Sequence, residues 1–139
     1  MKKRMPVSTI MTKDLITVSN SDDLTTAEIL FKKHKIRHIP VVKEKETIGM
    51  LSYTDLLRIS YADAVFEDET DVDTMVYNMF TIEQVMAKNL VQVTSQTTIK
   101  EVAEILSENE FHALPVIDNN ELVGIVTTTD LINYLLEQY

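Results

Sequence analysis

The sequence predicts an α+β fold made of two copies of one β-α-β-β-α unit, packed sheet to sheet about a pseudo-twofold axis. Three observations predict it: an internal repeat, the same order of apolar segments in each copy, and a length of 139 residues. A chain of this length buries about two thirds of its unfolded surface, which suffices for one domain or for two small halves that share a core. We expect each sheet to have one face covered by helices and one face that needs a partner.

The repeat emerges when the chain is shifted along itself by 75 positions. Residues 10–58 then align with residues 85–133 without a gap, and 11 of the 49 positions are identical. The identical pairs include both glycines of the chain and two of its three prolines: Gly49/Gly124 and Pro40/Pro115. Such self-similarity indicates a tandem duplication. We therefore predict a first repeat at 1–60, a linker that extends a helix at 61–79, and a second repeat at 80–139.

Each copy opens with a short apolar lead-in, which ends at Met11 or Met86, and continues into a β-prone run. The predicted runs are Leu15–Val18 and Leu90–Val93. A helix follows in each copy, because apolar residues recur every three to four positions. The predicted helices and their expected N-caps are Asp22–Lys33 with Ser21, and Thr98–Asn109 with Thr97.

Two apolar runs joined by a polar turn come next, and they predict a β-hairpin in each copy. The predicted strands are Ile36–Val42 and Ile48–Ser52 in the first copy, and Phe111–Ile117 and Glu121–Thr127 in the second. The polar turns are Lys43–Glu46 and Asp118–Asn120. Helix-like segments close the copies, with Thr54 and Thr129 as available caps: Asp55–Ile59 and Leu131–Gln138.

Composition excludes several classes of site. The chain has no cysteine, so disulfides, thiolate metal ligands and thiol nucleophiles are excluded. Its two glycines stand 75 positions apart, whereas dinucleotide-binding turns and P-loops need glycines close together. No apolar run approaches the roughly 20 residues of a membrane helix, and the charged start Met1–Pro6 lacks the apolar stretch of a signal peptide. We expect a cytoplasmic protein without a membrane partner.

The net charge of −9 is unevenly distributed. Residues 1–58 carry 11 Lys+Arg against 7 Asp+Glu, whereas residues 59–139 carry 2 against 15. Binding along a nucleic-acid backbone requires clustered cations, so a nucleic-acid partner is disfavoured, while the basic first part can accept a small anionic ligand. Six of the twelve residues Ala62–Asp73 are acidic. We interpret them as a solvated linker, with a divalent-cation site as the alternative.

Each copy also carries one composite motif. It consists of a basic residue shortly before a proline, an apolar-Pro-Val segment, a glycine nine positions after the proline, and a hydroxyl residue three positions before an aspartate. The hydroxyl residue and the aspartate are Ser52 and Asp55 in the first copy, and Thr127 and Asp130 in the second. Duplicated in register, this motif resembles a pair of CBS domains (the cystathionine β-synthase domain), an arrangement called a Bateman module, over about residues 7–60 and 80–137.

The resemblance implies a regulatory module that carries no chemistry of its own. Members of this family bind an adenine nucleotide (AMP, ADP or ATP) or S-adenosylmethionine, here in the cleft between the repeats, with or without magnesium and with no resident cofactor required. It also implies a homodimer. Because no enzyme, channel or DNA-binding domain is present in the sequence, the expected output is a signal to a partner protein in trans.

The resemblance also assigns roles to individual residues. Asp55 and Asp130 stand where the family places the carboxylate that accepts both ribose hydroxyls. Ser52 and Thr127, together with free N–H groups at a helix start, suit a phosphate. The purine is expected between two sets of apolar residues: Ile16, Ile36 and Pro40 in one copy, and Val91, Phe111 and Pro115 in the other.

The two sites are not expected to be equal. Arg37 and His38 stand where some family members carry basic residues that face phosphates, whereas the second copy has His112 and Ala113. Other readings of these residues stay open: each aspartate can simply favour a helix start electrostatically, and bulky Tyr53 beside the first motif leaves room for a ligand-free structural homodimer. An enzyme is disfavoured, because no nucleophile with its base and no metal-binding spacing is present.

Overall fold

A computed structural model describes residues 4–64 and 79–139, and it confirms the α+β class. The chain divides into two compact units. The first unit comprises residues 16–89, and the second comprises residues 1–15 together with residues 90–139. Each unit contains one hairpin and its flanking helices.

The described part of the first unit has three strands and three helices, in the order β1-α1-β2-β3-α2-α3. Their bounds are Val18–Ser19 (β1), Leu24–His34 (α1), His38–Lys43 (β2), Glu46–Ser52 (β3), Tyr53–Ala64 (α2) and Ile82–Val85 (α3). The sheet order is β1-β2-β3, with β1 parallel to β2 and β2 antiparallel to β3. Helix α2 therefore starts directly where β3 ends, which places its first turn at one end of the hairpin.

The second unit repeats this plan with a smaller sheet. After a 3₁₀ turn at Val7–Thr9 its elements are Ile99–Glu108 (α4), Ala113–Asp118 (β4), Glu121–Thr127 (β5) and Thr128–Glu137 (α5). Strands β4 and β5 form an antiparallel pair. Both hairpins were predicted from the sequence, and the bounds of β5 agree with the prediction.

The predicted runs before the first helices are shorter than expected. Of the first run only Val18 lies in a strand, which continues to Ser19, and the second run contributes a single parallel bridge, Val93 to Val116. Polar side chains turn the chain immediately afterwards: Asp22 Oδ2 accepts the N–H of Ser19 at 2.8 Å, and Thr97 Oγ1 accepts the N–H of Thr94 at 3.0 Å. These local hydrogen bonds compete with the ladder and end the strand.

The hairpins have the same irregularity in both copies. The register shifts between Val41 and Val42 in one and between Val116 and Ile117 in the other. Their turns use left-handed backbone, at Glu44 in the first and at Asn119 and Asn120 in the second. Asparagine tolerates this conformation better than most residues. The shared shift keeps equivalent residues opposite each other in the two copies.

The N-caps of α1 and α4 correct two sequence predictions. Asp23, not Ser21, accepts the N–H of Thr26 at 2.8 Å, and Thr98, not Thr97, accepts the N–H of Glu101 at 3.1 Å. Each helix thus starts after the side chain that can reach the N–H group three residues on. Ser21 and the Thr97 hydroxyl take part in the preceding turns instead.

Asp23 should give stability a dependence on pH. Hydrogen bonds from the N–H and hydroxyl of Thr26 lower the pKa of Asp23 below its ordinary value of 3.8. Its stabilisation is therefore fully present above pH 3.8 and is lost as the pH falls through the lowered folded pKa. We expect Asp23→Ala to lower the free energy of unfolding by about 1 kcal/mol at pH 7, and by less in acid.

Urea denaturation at pH 7 and at pH values below 3.8 measures this difference. Asp23→Asn is the matched control, because it keeps an acceptor oxygen but does not titrate. An Asp23→Ala cost that stays constant as the pH falls would contradict the assigned role of the ionised carboxylate.

The core of the first unit lies between its sheet and its helices. Helix α1 contributes Leu24, Ala27 and Phe31, whose spacing places them on one face. The other buried members come from β1, β2, β3, α2, α3 and the residue after α3: Val18, Ile39, Val41, Leu51, Leu56, Ile82 and Met86. The second unit has an equivalent cluster: Val7, Val93, Val102, Leu106, Leu114, Val116 and Val126.

The lead-ins pack against hairpins from the opposite repeat. Thr12 and Ile125 exchange two backbone hydrogen bonds, of 2.8 and 3.0 Å, inside the second unit. Ala87 and Met50 exchange the equivalent pair, of 3.1 and 2.8 Å, inside the first. The compact units therefore do not follow the order of the sequence. The division into repeats at 1–60 and 80–139, with a linker at 61–79, remains a prediction about sequence.

The predicted acidic linker lies mostly outside the described residues. Helix α2 continues to Ala64, which extends the first repeat's last helix beyond the predicted Ile59. The chain is described again from Met79, before a capping box at Thr81 opens α3. The linker and cation-site interpretations of Ala62–Asp73 both stay predictions.

Candidate functional site

The first cluster of predicted site residues lies where three elements meet. In the β2–β3 register His38 stands opposite Ser52, the last residue of β3. The N–H of Tyr53, the first residue of α2, donates to the carbonyl of Arg37 at 2.8 Å. The start of β2, the end of β3 and the first turn of α2 thus bring Arg37, His38, Ser52 and Asp55 together.

Ser52 caps α2, which corrects the expectation that Thr54 would. Its Oγ accepts the N–H of Asp55 at 3.1 Å. Helix α2 begins with Tyr53, Thr54 and Asp55. The N–H groups of Tyr53 and Asp55 donate to the carbonyl of Arg37 and to Ser52 Oγ, so in the described part of the chain only the N–H of Thr54 has no recorded acceptor among these three. One N–H group, rather than several, is therefore left at this helix start for a ligand.

Asp55 lies half-buried in the first turn of α2. Its Oδ1 accepts a hydrogen bond from Arg58 Nη1 at 3.5 Å, and the Arg58 side chain is 75% exposed. The sequence analysis missed Arg58, although a spacing of three residues on a predicted helix signals such a pair. Because an exposed pair of this kind contributes little stability, Arg58 can exchange its contact for one with a ligand.

Arg37 and His38 differ in burial and in their position relative to β2. His38 opens β2 and is half-buried, whereas Arg37 precedes the strand and is exposed. Successive residues of a strand point to opposite faces. The side chains of Arg37 and His38 can therefore bind the same phosphate only if the backbone bends at Arg37, where the chain does bend. Among the described residues no ion pair to Arg37 is recorded, and its guanidinium is accessible to an anion.

The residues predicted to flank the purine in the first copy are all partly covered. Ile16 and Ile36 are half-buried and pack against the first unit's core, and Pro40 is buried in β2. Tyr53 also packs on this core, where its ring meets Phe31 edge to face at a centroid distance of 5.3 Å. Its bulk therefore fills the core beneath the motif.

The second cluster has the same plan with a tighter cap. Ala113 stands opposite Thr127, which precedes α5. Thr127 Oγ1 accepts the N–H of Asp130 at 3.2 Å, and Asp130 Oδ2 accepts the N–H of Thr127 at 2.9 Å. This reciprocal pair is a capping box, so Thr127, and not the expected Thr129, caps the helix. Asp130 thus has a structural role here.

Thr12 also reaches Asp130, and sequence reasoning missed it. Its Oγ1 lies 3.4 Å from Asp130 Oδ1, held there by the backbone pairing of Thr12 with Ile125. The equivalent residue in the first unit is Ala87, 75 positions later, which has no hydroxyl. No local pattern predicts this contact, because the two residues are 118 positions apart and meet only through the sheet.

Among the remaining predicted residues of the second copy, His112 contacts the same helix start. The carbonyl of His112 accepts the N–H of Thr128 at 3.0 Å, and the ring nitrogen Nδ1 of His112 lies 3.5 Å from Thr128 Oγ1. Phe111 is half-buried against the second core, Pro115 is buried, and Val91 is exposed. Each copy therefore places a carboxylate and a hydroxyl at one end of a hairpin, where the two groups can accept hydrogen bonds from sugar hydroxyls or donate hydrogen bonds to them.

Comparison with known proteins finds the same duplication. The CBS domain family model matches the chain twice, at residues 7–62 and 82–137. Protein MJ1225 of Methanocaldococcus jannaschii is 26% identical over 125 residues, which cover 89% of this chain and 45% of that protein. The CBS domain-containing protein YhcV of Bacillus subtilis is 30% identical over 125 residues, covering 90% and 81%. The chain thus spans less than half of the first relative and most of the second.

Two solved structures share the fold. One is CBSX2 in complex with AMP, with a TM-score of 0.77 and 23% identity over 96% of this chain and 98% of that one. The other is the CBS domain pair of protein MJ0100 in complex with 5′-methylthioadenosine and S-adenosyl-L-methionine, with a TM-score of 0.79 and 24% identity over 97% and 98%. At such identities the likeness shows the fold alone.

Across residues 4–64 and 79–139, no helix combines the length and the apolar character that crossing a bilayer requires.

The two family matches cover most of the chain, and the fold agrees with solved CBS domain pairs. This protein belongs to the CBS domain family.

Proposed function

We propose that this protein is a regulatory module that binds an adenosyl ligand and signals to a partner protein in trans. The ligand class is AMP, ADP, ATP, S-adenosylmethionine or a close relative, and the module carries out no reaction itself. The observation that carries the proposal is the duplicated helix start, where a carboxylate and a hydroxyl three residues apart stand at the end of a hairpin. Two proteins of the same fold are described in complex with adenosyl compounds.

In this proposal Asp55 accepts the ribose hydroxyls of a ligand at the first cluster. Arg58 is its only recorded side-chain partner in the described chain, and that contact is long at 3.5 Å. The N–H of Thr54 and the exposed guanidinium of Arg37 bind the phosphate, and Ile16, Ile36 and Pro40 flank the purine. Asp130 has the corresponding role in the second cluster, where a ligand must compete with Thr12 and Thr127 for its oxygens.

A structural homodimer without ligand is the second candidate function. It is favoured by the second cluster, whose carboxylate and hydroxyl already satisfy each other in a capping box. It is also favoured by Leu57 and Ile132, equivalent residues on α2 and α5 that are 49% and 52% exposed. Dimerisation is part of both candidates, and a single 15.9 kDa species in sedimentation at micromolar concentration would contradict it. A cytoplasmic location stays a prediction.

A thermal-shift series with AMP, ADP, ATP, S-adenosylmethionine and GTP, each with and without magnesium, tests the proposed function. A ligand at 100 times its dissociation constant stabilises the fold by about 2.7 kcal/mol. For a chain of this size we expect the melting temperature to rise by about 5–10 °C. Asp55→Asn should abolish most of the rise if the first cluster binds, whereas Asp14→Asn, at an exposed acid outside both clusters, should not. A flat series would favour the structural homodimer.

Arg37→Ala should weaken a di- or triphosphate far more than adenosine. We expect a loss of about 10- to 150-fold for ADP or ATP, since a charge-assisted hydrogen bond contributes about 1.5–3 kcal/mol when it is formed. Titration calorimetry measures both affinities. Lys43→Ala is the control, because Lys43 is an exposed cation at the other end of β2. Equal losses for adenosine and ATP would remove the phosphate role of Arg37.

A further inference from the structure

The two clusters differ in charge at equivalent positions. The first copy carries cations where the second has an acid, an imidazole and an amide: Lys35/Glu110, Arg37/His112 and Arg58/Asn133. These pairs are each 75 positions apart, so the gapless repeat makes them direct counterparts. The two clusters share their backbone plan, and these three pairs of side chains give them different charges.

Two of the three cations of the first copy, Arg37 and Arg58, contact the start of α2. Arg37 is bound through its carbonyl to the N–H of Tyr53, and the Arg58 guanidinium lies 3.5 Å from Asp55. Lys35 is exposed and ends α1, only two residues before Arg37. Two residues of extended chain span at most about 7 Å, so the backbones of Lys35 and Arg37 are separated by less than the distance over which charges act at physiological salt.

The second helix start has the opposite surroundings. His112 is bound through its carbonyl to the N–H of Thr128, and exposed Glu110 precedes it by two residues. Asp130 receives hydrogen bonds from the N–H of Thr127 and the hydroxyl of Thr12, both neutral donors. Within the described chain no ion pair neutralises Asp130, whereas Arg58 neutralises Asp55.

Local net charge therefore separates the clusters. With imidazoles counted as neutral, Asp55 with its three neighbouring cations carries +2, and Asp130 with Glu110 carries −2. A phosphate is attracted to the first cluster and repelled from the second, while an uncharged or cationic 5′ substituent is not repelled from the second. The adenosyl part of a ligand meets the same backbone plan in both.

From these charges we infer that the two copies take different classes of adenosyl ligand: the first takes a phosphorylated one, and the second takes one without phosphate, such as a 5′-thioether or a sulfonium compound. This inference rests on the proposed function and adds that the two copies differ in ligand specificity. One chain would then respond to two chemical signals, one of them anionic.

Titration calorimetry with AMP and 5′-methylthioadenosine tests the inference on the full chain. We expect AMP to bind one equivalent per chain, and the AMP-saturated protein to bind one equivalent of 5′-methylthioadenosine. Raising the salt concentration should weaken AMP binding and leave 5′-methylthioadenosine binding to the AMP-saturated protein nearly unchanged. Competition between the two compounds for every site would overturn the inference.

Two charge-exchange variants make the test reciprocal. Lys35→Glu with Arg37→His gives the first copy the side chains of the second, and it should weaken AMP at least tenfold more than 5′-methylthioadenosine. Glu110→Lys with His112→Arg does the reverse, and it should add a second AMP equivalent. All four side chains are exposed, so the fold should be retained, and circular dichroism checks this.

Results that contradict the difference between the copies can be told apart from results that contradict the proposed function. The difference in ligand specificity would be overturned if the unmodified chain bound two AMP equivalents with similar affinity, or if neither exchange variant changed binding. Either result would leave the proposed function intact. Failure of both compounds to bind would instead contradict the proposed function itself.

Discussion

Phe31→Ala is expected to lower the free energy of unfolding by about 3–5 kcal/mol. Phe31 is 2% exposed in the first unit's core, so its removal leaves a cavity among residues that cannot close it fully. It also removes the edge-to-face contact with the ring of Tyr53, the first residue of α2. A domain of ordinary stability has only about 5–15 kcal/mol in total.

Urea denaturation with unchanged m-value measures the Phe31→Ala loss. Ile29→Ala is the matched control, because Ile29 lies on the same helix but is 58% exposed, and its cost should stay within about 0.5 kcal/mol. A Phe31→Ala cost close to that of the control would contradict the core position of this ring.

Because Tyr53 opens α2, the Phe31 cavity should also be felt at the candidate site. The N–H of Tyr53 donates to Arg37, and the next two residues lead to Asp55. In protein that is still folded, we expect Phe31→Ala to weaken an adenosyl ligand at the first cluster. A second-copy ligand should bind unchanged, since its cluster belongs to the other compact unit.

Gly49→Ala should lower the free energy of unfolding by about 1–3 kcal/mol, through overpacking. A methyl group at Gly49 would collide with Met86 Sδ and would come within 2.9 Å of the backbone oxygen of Ala87. The side chain of Met86 can move, but the backbone oxygen cannot move without disturbing the Ala87–Met50 hydrogen bonds. The expected damage is therefore to the docking of the lead-in on β3.

Gly124→Ala is the equivalent change in the second unit, and it should cost less. There a methyl group would lie 2.6 Å from Met11 Sδ but 3.1 Å from the backbone oxygen of Thr12. Met11→Ala should accordingly rescue most of the Gly124→Ala loss, whereas Met86→Ala should rescue only part of the Gly49→Ala loss. Double-mutant cycles by thermal or urea unfolding measure both couplings. A larger cost at Gly124 than at Gly49 would contradict this ranking.

Much of each repeat could be predicted because it depends on neighbouring residues. Apolar alternation and the polar Asp118–Asn120 turn sufficed for β5, and helical spacing sufficed for α1 and α4. The N-caps were wrong by one or two residues. Several hydroxyl and acidic residues adjoin each helix start, and only the path of the chain decides which of them reaches the N–H group three residues on.

The candidate site was predicted in part for the same reason. Asp55 and Ser52 follow from a motif that repeats 75 positions later, and their position at a helix start follows from the hairpin before them. Thr12 could not be found this way, because its approach to Asp130 depends on a β-bridge between distant segments. Arg58 could have been found from helical spacing alone.

By itself, the sequence determined the duplication, the order of elements in each copy and the different charges of the two clusters, because these are properties of composition and local spacing. It could not decide which lead-in packs on which hairpin. Met11 and Met86 are identical, as are Gly49 and Gly124, so either pairing satisfies the local chemistry equally well. Tertiary structure resolved this by pairing Met11 with Gly124 and Met86 with Gly49. The backbone hydrogen bonds of Thr12 and Ala87 join segments far apart in the chain, and such long-range pairing is not encoded in any local pattern.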